Sequence, residues 1–353
     1  MKRELEERMA VKIEKSRAEE VRRRLTQLEI MDNDFKPKID GDYVYFPLKK
    51  VSRLDLLTRD YPIEIVQAFF ERRWKKPRSL REALQNILPE ELLRYIPSSI
   101  DLVGDIAIIQ IPRELEDYSG EIGRAVMEIY PRVKTVLSKQ GETVGEYRIR
   151  MFKIIGGGPD TETIHREHGC IYKLDLMRAF FNPRMSGERL RIAQQVRDGE
   201  NVLDMFAGVG PFSILIAKRN PTVKIIATEV NPEAYRYLST NIVLNKVEDR
   251  VRAIHGDVRT VLKNINVNFD RIIMDLPYSS LDYLDFALSR LKEKGVVNMY
   301  LVEGGVDSVK KAHDKVTELA GKLGYKIVIA YSRQVLEVAP LKSIIALDLT
   351  KRS

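Results

Sequence analysis

Cysteine and tryptophan are almost missing from the 353 residues, which hold one of each, Cys170 and Trp74. A single thiol excludes an internal disulfide framework and suits a reducing compartment. Four histidines (His165, His168, His255 and His313) without further cysteines give no zinc-ligand spacing, so no metal is expected. No apolar run approaches the ~20 residues of a membrane span, and the N-terminal stretch lacks a signal peptide's apolar core. A cytoplasmic protein with no membrane contact is expected. Internal repeats and low-complexity segments are also missing.

What is present describes a soluble chain, 44% hydrophobic and 31% charged, long enough for two or three domains. Its net charge of +8 favours a polyanionic partner such as nucleic acid. Abundant Lys, Arg and Glu beside scarce Cys also fits a thermophile.

Residues 1–58 read as a small α+β domain. The opening "MKRELEER" mixes charges as a solvated helix face does. Ser16-Arg17-Ala18-Glu19 reads as a capping box opening a helix to about Ile30, and Asp40-Gly41 turns into a strand over Tyr43 to Leu48. Residues 59–97 read as a basic helical linker. Its "RRWKKPRSLR" is either a solvated loop or an RNA contact, with Arg72, Arg73, Lys75 and Lys76 on phosphates and Trp74 stacking. Residues 98–190 read as an α+β middle domain, with a strand in "IDLVGDIAIIQIP", a helix from about Gly120 to Tyr130, and strands in "GEYRIR" and "CIYKLDL". Gly156-Gly157-Gly158-Pro159 reads as a loop without the features of a phosphate cradle.

From 191 to 353 strands alternate with helices, which implies an α/β fold with a mostly parallel sheet. Four expected strands end in a carboxylate: Asp204, Glu229, Asp257 and Asp275. Ligands bind along that edge of an α/β sheet. The turn Ala207-Gly208-Val209-Gly210 lacks the G-x-G-x-x-G spacing that offers a helix N-terminus to a pyrophosphate, and an acid precedes it. An acid there repels phosphate and suits a cationic ligand. S-adenosylmethionine fits, with Asp204 near its amino-acid moiety, Glu229 accepting from the ribose hydroxyls and Asp257 near the adenine amine. Phe206, Ala207, Gly208, Gly210, Asn231, Val258 and Arg189 complete the expected cofactor set. Acidic caps in another α/β fold, or a nicotinamide cofactor, are the alternatives.

This half resembles the class I S-adenosylmethionine-dependent methyltransferases, whose Rossmann-like seven-stranded sheet ends in an antiparallel hairpin. "YKIVIAYSRQVLEVAPLKSIIALDLT" supplies two such final strands. "DLPY", Asp275 to Tyr278, is similar to the [D/N]-P-P-[Y/F] lip of enzymes that methylate exocyclic amines of bases. "TIHREHG", "FFNPRMSGERLRIAQQV", "DMFAGVGPFS", "VGDIAIIQIP" and "GEYRIR" together resemble the archaeal and eukaryotic tRNA guanine-37 N1-methyltransferase family from about residue 100 onward. The small N-terminal domain is similar to the extra domain of the archaeal branch.

The resemblance implies methylation of N1 of guanosine 37, in the anticodon loop, with the base flipped out of its stack. It makes Glu188 the general base and places Arg148 against guanine O6. Asp275, Pro277 and Tyr278 would form the pocket rim, and Phe180, Asn182 and Arg184 would bind substrate. It assigns the N-terminal domain to the tRNA body, and a monomer is expected. Two departures stand out: the family's usual Asn-Leu-Pro-Lys or Asn-Pro-Pro-like stretch is Asp275-Leu276-Pro277-Tyr278 here, and a frequent tyrosine is Phe180. C7 methylation of 4-demethylwyosine at the same position, an amino-methyltransferase acting at N2 of guanine or N6 of adenine, and a non-catalytic RNA-binding protein are the other readings.

Overall fold

The computed structural model describes residues 5–51, 54–73, 76–144, 149–263 and 265–352. The chain divides into two compact units, Met1–Pro77 and Arg78–Ser353.

In the first unit the order is β1 (Leu5–Glu14), α1 (Ala18–Gln27), β2 (Lys38–Asp40), β3 (Tyr43–Pro47), α2 (Asp55–Thr58) and β4 (Glu64–Glu71). The sheet runs β2-β3-β1-β4, and α1 closes one face through Val21 and Leu25 against Val11 and Ile13. Three expectations are corrected here. From Leu5 on the charged opening belongs to a strand, because "LEERMAVKIE" alternates in burial and pairs on both sides, Val11 with Phe46 and with Ile65, while residues 1–4 lie outside the described residues. Ser16 caps nothing, since Lys15–Arg17 forms a 3-10 turn directly off β1 and holds Ser16 inside it. Part of the expected linker is the edge strand β4, whose pairing runs from Leu5–Glu71 to Lys12–Glu64.

The second unit begins with α3 (Leu80–Leu84), β5 (Asp101–Val103), β6 (Ile106–Ile109), α4 (Ser119–Ile129), β7 (Thr135–Val144) and β8 (Ile149–Gly157). These strands form a sheet ordered β5-β6-β7-β8. Gly156 and Gly157, read as loop, end β8. A Cβ at Gly157 (φ +81°) would lie 1.9 Å from the Lys134 carbonyl oxygen, so only glycine fits that crossing.

A hairpin of β9 (Glu162–Glu167) and β10 (Cys170–Asp175) leads to α5 (Ser186–Gln195). The rest alternates: β11 (Asn201–Asp204), α6 (Pro211–Arg219), β12 (Lys224–Glu229), α7 (Pro232–Asn245), β13 (Val251–His255), α8 (Val258–Val261), β14 (Phe269–Met274), α9 (Leu284–Arg290), β15 (Leu291–Gly304), α10 (Ser308–Lys322), β16 (Ile327–Ala339) and β17 (Lys342–Lys351). Their seven-stranded sheet is ordered β13-β12-β11-β14-β15-β17-β16. The first five strands run parallel, and β17 lies antiparallel between β15 and β16. This is the expected methyltransferase-like α/β sheet. Parallel strands covered on both faces must be apolar throughout, and Val202, Leu203, Ile272, Ile273 and Met274 are fully buried.

Two asparagines dock the hairpin on the sheet domain. Asn245 of α7 accepts from Ile171 N–H at 2.9 Å and donates to its carbonyl at 2.6 Å. One turn earlier, Asn241 does the same for Lys173 at 2.7 and 3.0 Å. The side-chain amides stand in for a neighbouring strand, so the buried edge of β10 keeps its hydrogen bonds. Among the described residues, no helix is long and apolar enough to cross a membrane.

Candidate active site

Register brings the strand ends together. Asp204 closes β11 beside Ala227 of β12 and Ile273 of β14, Glu229 closes β12, and Asp275 follows the last residue of β14. The chain leaves β11 through a turn in which Gly208 (φ +56°) and Gly210 (φ +92°) take left-handed conformations. A Cβ on Gly210 would meet Leu238 at 2.7 Å and Ile214 at 2.8 Å, so this turn into α6 requires glycine.

Asp204 is buried. Its Oδ2 accepts from the Ser213 hydroxyl at 2.7 Å, while Oδ1 has no partner. Burial pushes its pKa up to about 7, with Asp275 and Glu229 adding and the Ser213 bond opposing. Asp275 meets no hydrogen-bond donor among the described residues. Desolvation pushes it up to about 6, with Glu188 adding and Arg189 opposing. Glu229 is also raised by burial, against the N–H groups of Asn231 at 2.8 Å and Gly208 at 2.7 Å. Three acids with raised pKa on one sheet edge, one of them with a buried orphan oxygen, fit a bound cation.

The other expected cofactor residues take varied roles. Asn231 orients Glu229 with its backbone, but its side chain caps α7 at Glu233 N–H (3.0 Å) and donates to the Arg178 carbonyl (2.8 Å). Asp257 caps α8, and Arg259 draws its pKa down by binding both of its oxygens, at 2.8 Å through Nη2 and 3.1 Å through Nε. That guanidinium lies 4.3 Å over the Tyr283 ring, which packs edge-on to Phe206. Ala207 and Val258 are buried, Val258 in the apolar cluster that includes Met205 and Met274.

Arg189, expected to contact the cofactor, is a buried strut. Its Nε and Nη2 hold both oxygens of Glu167 at 2.8 and 2.7 Å, and it donates to the Asn182 carbonyl at 3.1 and 3.2 Å. Burial alone would raise Glu167, but Arg189 and His165 outweigh it and lower its pKa to about 2. These bonds commit four of its five N–H groups to the protein itself.

The lip is a turn. Ser279 N–H donates to the Leu276 carbonyl at 2.9 Å, buried Ser280 caps the same carbonyl at 3.0 Å, and Val302 N–H holds the Pro277 carbonyl at 3.0 Å. This geometry presents Tyr278, 63% exposed, outward. The Phe180 carbonyl lies 3.9 Å from where a Gly208 side chain would start, and the Phe180 ring carries the Arg150 guanidinium at 5.1 Å. Asn182 caps the turn into α5 by accepting from Arg184 N–H at 3.1 Å. Arg184 ties that turn to Asp101 (2.6 Å) and Ser99 (3.3 Å).

Glu188 sits in the first turn of α5, fully buried. Its Oε2 accepts from Arg191 Nε at 2.9 Å and from the Tyr300 hydroxyl at 3.2 Å, and its Oε1 accepts from Arg333. Burial raises the Tyr300 phenol well above its ordinary pKa, which keeps it a donor. Burial also opposes the charge on Arg191, but Asp348 outweighs that and its pKa is raised. Sequence reasoning missed Arg191, Tyr300, Arg333, Ser213 and Arg150. Arg191 alone left a local signal, its i,i+3 spacing from Glu188.

Arg72 and Lys76 in the first unit are exposed. Arg73 donates to the Phe35 carbonyl at 3.1 Å. Arg148, Trp74 and Lys75 lie outside the described residues.

Three family models match in order along the chain: a tRNA methyltransferase 5 N-terminal domain (residues 10–54), a TYW2 N-terminal domain (80–161) and a TRM5/TYW2 methyltransferase domain (163–328). The tRNA (guanine(37)-N(1))-methyltransferase Trm5b of Pyrococcus abyssi is 41% identical over 96% of this chain and 98% of its own. The tRNA 4-demethylwyosine(37)-methyltransferase Taw21 of Saccharolobus solfataricus is 35% identical over 61% of this chain and 83% of its own. A solved complex of aTrm5 with tRNALeu superposes with a TM-score of 0.77 at 33% identity, covering 98% of this chain and 100% of that one. With the matching fold and the order of its domains, the chain belongs to the TRM5/TYW2 family of tRNA methyltransferases.

Proposed function

We propose that this protein transfers a methyl group from S-adenosylmethionine to N1 of guanosine 37 in tRNA. The observation that carries the reading is the sheet edge itself, where the orphan oxygen of Asp204 and the desolvated Asp275 and Glu229 flank the glycine turn. When bound, the cofactor supplies an electrophilic methyl carbon on a sulfonium. Asp204 would face its amino-acid moiety and Glu229 its ribose, and the turn lets the backbone approach closely.

Guanine N1 carries a proton at neutral pH, so its attack on the methyl needs a base. Glu188 is our candidate for that base. Asp275 offers only acceptors when ionised and would hold an N–H edge of the flipped base, while Tyr278 and Phe180 present rings for stacking. The first unit would grip the tRNA body. Along one face of its sheet Lys12 lies 4.5 Å over Tyr43 and Lys38 5.5 Å over Tyr45, a mixture of cations and rings that suits RNA. Incubating the enzyme with cofactor and a guanosine-37 tRNA, followed by nucleoside analysis, tests the reading.

A second reading, methylation at C7 of 4-demethylwyosine at the same position, is supported by the likeness to Taw21 and by the departures at Asp275 and Phe180. A tRNA bearing that tricyclic base, offered in competition with guanosine-37 tRNA, separates the two.

A further inference from the structure

Two arginines of opposite character meet the Glu188 carboxylate. Arg191 is fixed, since its terminal nitrogens hold both oxygens of Asp348 at 2.6 and 3.2 Å. Asp348 is itself held by Asn298 at 2.7 Å and Gln195 at 3.0 Å. Arg333 is anchored far less. It lies in β16 between two register irregularities, its side chain is 49% exposed, and among the described residues Glu188 Oε1 is its one hydrogen-bond partner.

A general base has to offer a lone pair to the proton it accepts. Oε2 already receives two donors, Arg191 and Tyr300, and has none to spare. Oε1 is the oxygen left. Arg333 takes one of its two lone pairs, and because the carboxylate is wholly buried, a second donor reaches the other only when a covering group moves aside. Withdrawing Arg191 would break its bonds to the buried Asp348, whereas a half-exposed guanidinium can trade its one bond for water.

We infer that Arg333 is a positioning residue that covers Oε1 of Glu188 and withdraws when guanine N1–H comes to donate there. The inference rests on Glu188 being the base. It divides the work around that carboxylate: Arg191, Tyr300 and Asp348 fix where it points, and Arg333 sets when its free oxygen is reachable. The exchange is balanced, because one donor to Oε1 replaces another and the carboxylate is never left buried without a partner.

The test is single-turnover methylation of a guanosine-37 tRNA transcript by the full-length enzyme at saturating cofactor, with tRNA affinity measured in parallel. R333A and R333Q, both at a half-exposed position, should react faster than wild type by up to about five-fold, the range of an exposed ion pair. Their tRNA affinity should stay within about two-fold, and R333K should return the rate to wild type by covering the oxygen again. An unchanged or lower rate in both R333A and R333Q overturns the inference, as does a loss of tRNA affinity with no gain in rate, which makes Arg333 an RNA contact. E188Q keeps the two readings apart: its normal activity sinks Glu188 as base, while an inactive E188Q beside unaltered Arg333 variants sinks only the covering role.

Discussion

Asp204 accepts from the Ser213 hydroxyl at 2.7 Å with one oxygen and keeps the other buried without a partner. Its pKa is pushed up to about 7, and that of nearby Asp275 to about 6. A cationic ligand binds the ionised acids, so S-adenosylmethionine affinity should rise with pH from about 5 and level off above about 7. In the free protein the sign is reversed. The native state holds protons that the unfolded chain has lost, so these groups lower stability as pH rises through that window. Calorimetry over this range checks both the affinity and the protons released on binding. Asp204→Asn should flatten the dependence, and a flat profile in wild type would contradict this account of the edge.

Glu229 tests the ribose assignment. Glu229→Ala should weaken S-adenosylmethionine binding by about 1.5–3 kcal/mol, the range for charge-assisted hydrogen bonds. The carboxylate also receives Gly208 and Asn231 N–H, so Glu229→Gln, which keeps one acceptor for the turn, should lose less. Unchanged affinity in a folded Glu229→Ala protein would remove this strand end from the cofactor site.

Arg189 should behave as structure. Arg189→Met strands Glu167 as an uncompensated buried charge and should cost about 3–5 kcal/mol in denaturant unfolding. Because the native pKa of Glu167 is lowered to about 2 from 4.5, its contribution to stability is present above about 4.5 and is lost as pH falls toward 2. The variant should lack that acid-side loss. A variant of wild-type stability with weakened cofactor binding would restore Arg189 as a ligand.

These differences show which features were legible in the sequence. The cofactor edge was, because buried parallel strands read as apolar runs and each run stops at or just before an acid. β1 was not, because its charged first half hides the alternation and its partners in β3 and β4 lie more than 25 residues away. Arg189 and Arg191 show the same limit within one helix. Both follow Glu188 in "GERLR", yet Arg189 turns to Glu167 and Arg191 to Glu188 and Asp348, a choice made by tertiary packing. Tyr300 and Arg333 reach Glu188 across 112 and 145 positions, beyond any local spacing rule.

The lip separates chemistries. If Asp275 holds an edge of the target base, Asp275→Ala should lower kcat/KM for tRNA by roughly 10- to 150-fold, one charge-assisted hydrogen bond made in the transition state. Its S-adenosylmethionine affinity should fall far less, because Asp204 and Glu229 remain at the edge. If Asp275→Ala is inactive while Glu188→Gln methylates normally, the enzyme works as an amino-methyltransferase centred on "DLPY".

Cations of the first unit should act on RNA alone. Replacing Arg72, Arg73, Lys75 and Lys76 together should weaken tRNA binding and flatten the slope of log affinity against log salt. Cofactor affinity should not change. An unaltered slope would make the segment a solvated surface.

Nucleoside mass spectrometry of a guanosine-37 tRNA after incubation with enzyme and S-adenosylmethionine tests the central claim most directly. The account predicts one new methyl group, found as N1-methylguanosine at position 37. It further predicts that the product is lost in Glu188→Gln and absent from a tRNA carrying adenosine at that position. A methyl group on N2 of guanine, on N6 of adenine, or at any other position of the tRNA would contradict it.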